Sequence, residues 1–356
     1  MKTKLNKICP PHHQSKKERD SNMELFRILA MFLVLVVHAD FFSLGLPTDK
    51  DLLETPLSSF TRFLFESLSI GCVNMFVLLS GWYGIRPKIQ SFSNFIFQCA
   101  FFLFGIYAFC LLFKLSELNI HGVMGCLLLL KWNWFIKAYL LLYILSPVLN
   151  SFVELSTQKQ HRNILICFFI FQSIFSWMIN AAVFFESGYS TISFVGLYLL
   201  ARYFSKYDNT LVHYNRNFYL FIFVIVTFIG AITAYLFGRF GIPYLPALIF
   251  RYDSPVVIMS SLSLLIYFSK LHFHSKIINW IGASSFAVFL LHTNPNLCEQ
   301  HFIPMIQKIY QSSSGVVCIL SIGAFLLVIY VVAILLDQVR KIMWCKLESL
   351  LLNKSI

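Results

Sequence analysis

Runs of about twenty mostly apolar residues recur along this chain, and no other feature restricts its fold so tightly. A run of that length matches the hydrocarbon thickness of a bilayer when it is helical. Composition agrees: 58% of the 356 residues are hydrophobic, 39 are Phe, and only 12% are charged. A soluble domain of this size needs a polar shell that so few charged residues do not supply. The expected fold class is therefore all-α, a polytopic membrane helix bundle. A disordered chain, a coiled coil and a disulfide scaffold are excluded, and a soluble enzyme nearly so.

Ten spans are predicted, at about 24–44, 60–82, 92–113, 132–153, 163–183, 189–204, 217–238, 248–268, 278–293 and 315–337. The apolar segment 120–130 is too short to cross and reads as re-entrant or interfacial. With the N-terminus inside, 19 Lys and Arg fall in inner segments and 7 in outer segments and their borders, with Arg27 and Lys137 left within spans. This asymmetry places both termini in the cytoplasm, and the formal charge of +12 is topological rather than a mark of nucleic-acid binding. The chain divides into a basic tail, 1–23, a membrane domain, 24–337, and a basic tail, 338–356, expected to lie on the inner membrane surface. No small-residue cleavage site follows the first apolar run, so the first span is expected to be retained. The nine cysteines show no metal-ligand spacing and read as small core hydrophobes; only Cys298 is expected to face outside. No metal site and no permanently bound cofactor are expected.

Ionisable residues within a span are costly and mark function by default. The first span, ELFRILAMFLVLVVHADFF, holds Glu24, Arg27, His38 and Asp40. The eleven-residue step from Arg27 to His38 is within about 20° of alignment on one helix face and rises about 16 Å. One face thus offers a fixed cation near the cytoplasmic end and a titratable imidazole in the outer half. Arg27 can equally snorkel to the interface with Glu24 as its i−3 partner. His38 lies too deep to snorkel, and imidazole is the side chain best suited to proton transfer near neutral pH. A hydrogen-bonded core histidine is the plainer alternative. Asp40 faces another side of the helix and is not assigned as an orienting carboxylate.

An Arg, ten residues and a His in the first span resemble the acyltransferase-3 family of multi-spanning bacterial membrane acyltransferases. Three further stretches are similar to that family and occur in its order: VNMFVLLSGWYG (Val73 to Gly84), WNWFIKAYLLLYILSPVLN (Trp132 to Asn150) and IGASSFAVFLLHTNP (Ile281 to Pro295). Met75 departs from it, where the family often has a second Phe. The resemblance covers nearly the whole chain, and the appended hydrolase-like domain of some members is not expected.

The resemblance implies transfer of an acyl group, usually acetyl, from coenzyme A to a sugar hydroxyl of a surface or exported glycan, in a bacterial cytoplasmic membrane. Acyl-CoA is then a co-substrate, with a glycan or glycolipid acceptor and membrane lipid as further partners. His38 and Arg27 are the expected catalytic pair, His38 as general base. Arg27, the Ser80-Gly81-Trp82 turn and Arg86 are expected to bind the donor, because a guanidinium matches phosphate and a Ser-Gly turn brings backbone N–H groups close to an anion. A helix C-cap and ordinary inner-loop charge are the plainer readings of these residues. Trp134, Lys137 and His292 are expected on the acceptor side, although Trp134 also suits an interfacial belt and His292 a helix end. Arg251 and Asp253 form either a polar pair at the acceptor entrance or an interface mark. The competing classes are a flippase or other transporter of lipid-linked sugars, a polysaccharide polymerase and a structural membrane subunit. A transporter should carry repeats or charges spread over more helices, a polymerase a larger outer loop, and a structural subunit no mid-span His.

Overall fold

The computed structural model describes residues 19–114, 133–180, 184–208, 210–242 and 244–353. The segment 120–130, together with Trp132, lies outside the described residues. Among the described residues the chain is helical, with no strand. Its principal helices are α1 (Ser21–Ala39), α2 (Pro56–Ser69), α3 (Cys72–Tyr83), α4 (Ile89–Leu112), α5 (Trp134–Leu155), α6 (Gln158–Phe171), α7 (Thr191–Lys206), α8 (Arg216–Arg239), α9 (Pro255–Ser269), α10 (Lys276–Gly282), α11 (Phe286–His292), α12 (Ile303–Ser312) and α13 (Gly315–Asn353). Each of the ten predicted spans coincides with a helix or a pair of helices. Among the described residues, six helical runs are long and apolar enough to cross a membrane, at 21–44, 56–83, 89–112, 134–155, 216–239 and 315–350.

Helix α1 sits at the centre, packed against α2, α3, α9, α10, α11 and α13. That position follows from its composition: Phe26, Ala30, Met31, Val34 and Leu35 are all buried. Elsewhere small residues allow close crossing, as is usual where lipid offers no hydrophobic drive between helices. In α8 the stripe Gly230, Ala234 and Gly238 is buried against α2 and α9. The outward faces of α4, α5, α8 and α13 carry exposed apolar side chains, among them Ile89, Val148, Phe221 and Val328. Backbone groups are satisfied within the helices, as a lipid-facing surface demands.

Three local devices shape the region around the end of α1. The helix stops at Ala39, Asp40 takes φ −90° and ψ −100°, and a short turn of helix, Phe41–Leu44, follows. The second span is broken between α2 and α3 at Gly71, whose carbonyl accepts a hydrogen bond from Ser261 Oγ at 3.1 Å. A Cβ at Gly71 would collide with that same hydroxyl. In the loop before α2, Thr48 and Asp51 form a reciprocal capping box. The two Thr48 donors, hydroxyl first and then backbone N–H, hold the Asp51 carboxyl below the ordinary carboxylate range.

Helix α13 runs unbroken from Gly315 to Asn353, so no change of helix marks the boundary expected at Asp337. A buried charge cluster sits there. Asp337 is bridged by Arg340 at 2.8 Å and Lys341 at 3.4 Å, and Gln98 donates to it from α4 at 2.9 Å. This cluster ties the long last helix to α4, while Lys341 Nζ reaches Ser284 Oγ at 2.6 Å.

Candidate active site

His38 occupies the last turn of α1 and His292 the end of α11, 254 residues later. The two rings meet, with His38 Nδ1 2.7 Å from His292 Nε2. His292 Nδ1 in turn lies 2.6 Å from the Val288 carbonyl, one turn back in its own helix. A carbonyl oxygen can only accept, so His292 Nδ1 carries a proton. In the neutral ring, His292 Nε2 is then an acceptor and His38 Nδ1 the donor to it. The lone pair of neutral His38 is thereby left on Nε2. The backbone of α11 thus sets the tautomer of the first histidine through the second, by hydrogen-bond bookkeeping alone.

The two histidines differ in access. His292 is buried, 2% exposed, under the rings of Phe289 and Phe302. His38 lines a cavity of about 560 Å³ whose wall runs along α1 through Val34 to Met31. Its lining also takes in Phe42, Tyr189 and Glu299, all exposed, which mark the open side at the C-terminal end of α1. Its walls are aromatic. Trp134, Tyr189 and Tyr252 form a trio with ring centroids 4.5, 4.8 and 6.0 Å apart. Tyr252 is held by Asn74 Nδ2, which donates to its carbonyl at 2.8 Å. On either side of it, Arg251 and Asp253 pair at 2.7 Å, so the predicted polar pair exists and braces this wall. Asp253 also accepts from Ser176 Oγ, in the π-helical turn that follows α6.

Arg27 stands in different surroundings. Its guanidinium pairs with Glu24 at 3.2 Å, and Glu24 also holds Arg19 at 3.0 Å. The cavity ends at Met31, one helical turn short of Arg27. Ser80 Oγ donates to the Phe76 carbonyl at 2.9 Å and meets Tyr139 OH at 3.1 Å, and Tyr139 is within electrostatic reach of Arg27. The expected turn at Ser80-Gly81-Trp82 is instead helix: these residues belong to α3, and the turn comes at Gly84, with φ +73°. Gly81 is there because α7 presses on it. A Cβ at that position would approach Tyr198 Cα and Ala201 Cβ to 2.9 Å each. Trp82 lines a second groove, of about 400 Å³, with Arg19, Asp20 and His272 at the N-terminal end of α1.

The structure therefore places His38 and Trp134 on one cavity, with His292 buried directly behind His38. It leaves Arg27, Ser80 and Trp82 at the other end of α1, and Arg86 and Lys137 exposed away from the cavity. Cys298, expected to face outside, is buried and lines the cavity. Asp40 does not orient His38; its Oδ1 accepts from Arg62 Nε at 2.7 Å. Glu66 is the cavity residue that sequence reading missed. It is the one carboxylate in the second predicted span, and the rule applied to the first span would have found it.

A family model described as an acyltransferase domain matches residues 20–337. The chain belongs to the acyltransferase-3 family. No curated protein and no solved structure matches the chain. The match takes in both ends of α1, the α2–α3 break at Gly71, and the α11 histidine. It makes this multi-helix chain a membrane acyltransferase, and the His38–His292 pair lies inside the matched region.

Proposed function

We propose that this acyltransferase moves an acyl group, acetyl in the simplest case, from acyl-CoA to a hydroxyl of a cell-surface or exported glycan. The observation that carries the reading is the His38 imidazole at the cavity wall, its Nδ1 engaged by His292 and its Nε2 lone pair left free. A sugar hydroxyl is a poor nucleophile until its proton leaves. His38 Nε2 takes that proton as the hydroxyl oxygen attacks the thioester carbon. The C–S bond then breaks, the thiolate of coenzyme A departs, and the proton on His38 passes to it. The ester forms, and His38 returns to its neutral state. His292 stabilises the imidazolium only through its acceptor nitrogen, so it positions rather than reacts. General-base help of this kind contributes about 10²–10⁴-fold.

The donor binds at the N-terminal end of α1 in this reading, which faces the cytoplasm of a bacterial inner membrane. Arg27, Ser80 and Trp82 are the residues offered to it, with Arg86 nearby in sequence. Coenzyme A is polyanionic, and the about 16 Å rise between Arg27 and His38 suits its long flexible arm. The glycan binds at the open side of the cavity, where Trp134 supplies a face for a sugar ring. Lys137 is exposed and contributes through the field at the surface.

The test is the O-acyl content of purified surface glycan, read by proton NMR, in cells carrying wild type, a deletion, His38→Ala or Arg27→Ala. Acyl signals lost in the deletion and both variants, at unchanged membrane levels of protein, support the reading. A glycan altered in amount or chain length, with its acylation intact, overturns it.

A further inference from the structure

The carboxyl side chains among the described residues lining the cavity are Glu66 and Glu299, and no lysine or arginine is among them. Glu299 is exposed at the open side. Glu66, on α2, is 4% exposed. It stands beside the break in α1 at Asp40, and its Oε2 has no hydrogen-bond partner. The cation within electrostatic reach, Arg62, is already engaged. Its Nε donates to Asp40 Oδ1 at 2.7 Å and a terminal nitrogen donates to the Gly45 carbonyl. Arg62 is taken up by Asp40, so no cation is left to pair with the Glu66 carboxyl. An unpaired buried oxygen on a cavity is costly unless a ligand satisfies it. Glu66 also lies within electrostatic reach of Tyr189 and Tyr252, so the orphan oxygen and the aromatic trio belong to one wall.

We propose that Glu66 is an acceptor-binding residue that selects a non-acidic sugar. It accepts a hydrogen bond from a hydroxyl or amino group of the acceptor, neighbouring the hydroxyl that is acylated, while the sugar ring lies on the aromatic wall. A sugar bearing a carboxylate or phosphate at that place meets an acceptor oxygen and finds no cation on the described lining to offset its charge, and is rejected. This rests on the acyl-transfer reading above, and it deepens that reading by naming the class of acceptor. It also assigns the phosphates of the donor elsewhere, because an anion finds no cation on the described lining of this cavity.

The experiment uses the full chain in lipid nanodiscs with labelled acetyl-CoA and three acceptors: methyl glucoside, methyl glucosaminide and methyl glucuronide. Wild type should acylate the neutral or the amino sugar with a kcat/KM about 100-fold or more above that for the glucuronide. Glu66→Gln, which keeps shape and offers an amide N–H donor to an acidic sugar, should shrink that ratio at least about tenfold, chiefly by lowering KM for the glucuronide. Glu66→Asp draws the carboxylate back by a methylene. It should raise KM for the preferred sugar while the glucuronide stays excluded, and it serves where Glu66→Gln is not recovered folded. Equal use of glucoside and glucuronide by wild type overturns the proposal and leaves acyl transfer standing. So does an unchanged ratio in Glu66→Gln. Acylation of none of the three overturns the acyl-transfer reading, and the proposal with it.

Discussion

At its C-terminal end α1 presents His38 to open volume, with one nitrogen tied to His292 and the other facing a cavity walled by aromatic rings. At its N-terminal end the same helix presents Arg27 to a partner already in place, Glu24 at 3.2 Å, with Arg19 on the other side of that carboxylate. The first arrangement leaves a lone pair unspent next to space for a substrate. The second neutralises most of a charge and leaves the side chain 29% exposed. A residue type and its place in a motif do not determine which arrangement it receives; the neighbouring helices do. For His38 they are α11, which supplies a tautomer-setting carbonyl, and α2, which supplies Glu66. For Arg27 it is α1 itself, through the i−3 carboxylate, under the close approach of Gly282 on α10 to Glu24.

The comparison can be broken or sharpened by substitution. The largest effect is expected for His38→Ala, a fall in kcat of about 10²–10⁴-fold with membrane level and unfolding temperature retained, measured by steady-state transfer in nanodiscs. Next comes His292→Ala, which leaves the His38 base present and loosely held. Misplacing a reacting group by ~1 Å costs about 10²-fold, so kcat should fall to about that extent with KM for the donor unchanged. Arg27→Ala should act on the other substrate. Loss of a hydrogen bond to a charged partner, about 1.5–3 kcal/mol, raises KM for acyl-CoA about 10- to 150-fold and leaves the KM for the sugar alone. Trp134→Leu should raise KM for the sugar about two- to tenfold, the scale of a lost aromatic face of about 0.5–1.5 kcal/mol. Lys137→Ala, exposed and off the cavity, should change either KM by less than about twofold, in keeping with the small effects of exposed charges. An Arg27 variant that alters sugar KM, or a His292 variant that alters donor KM, would dissolve the division between the two ends.

Much of this was legible in the chain itself. Hydropathy announced the helical class and, among the described residues, six runs long and apolar enough to cross a membrane, because burial in lipid requires long apolar helices whatever their neighbours. The Arg27–His38 alignment followed from helix geometry alone. What stayed hidden depended on contacts between distant segments. That His38 meets His292 is a matter of how α11 lies against α1. Glu66 falls inside the second predicted span, where its charge alone marks it, but that it lines the same cavity as His38 depends on how α2 lies against α1. Ser80-Gly81 looked like a turn because glycine commonly ends a helix. Here the turn belongs to Gly84, and Gly81 serves a crossing with α7 that no local pattern announces. Asp337 looked like the end of a span because a carboxylate is costly in lipid, yet Arg340 and Gln98 engage its Oδ1, Lys341 stands 3.4 Å from its Oδ2, and the helix continues.

The central claim is that His38 is the base and that the carbonyl of Val288 fixes its reactive nitrogen through His292. The most direct test is single-turnover transfer of labelled acetyl from acetyl-CoA to a sugar acceptor by the purified chain in nanodiscs, comparing wild type, His38→Gln and His292→Gln. The account predicts a loss of about 100-fold or more for His38→Gln, a smaller loss for His292→Gln, and acetyl-CoA binding retained in both. Transfer by His38→Gln within about twofold of wild type, at equal folded protein, would contradict it.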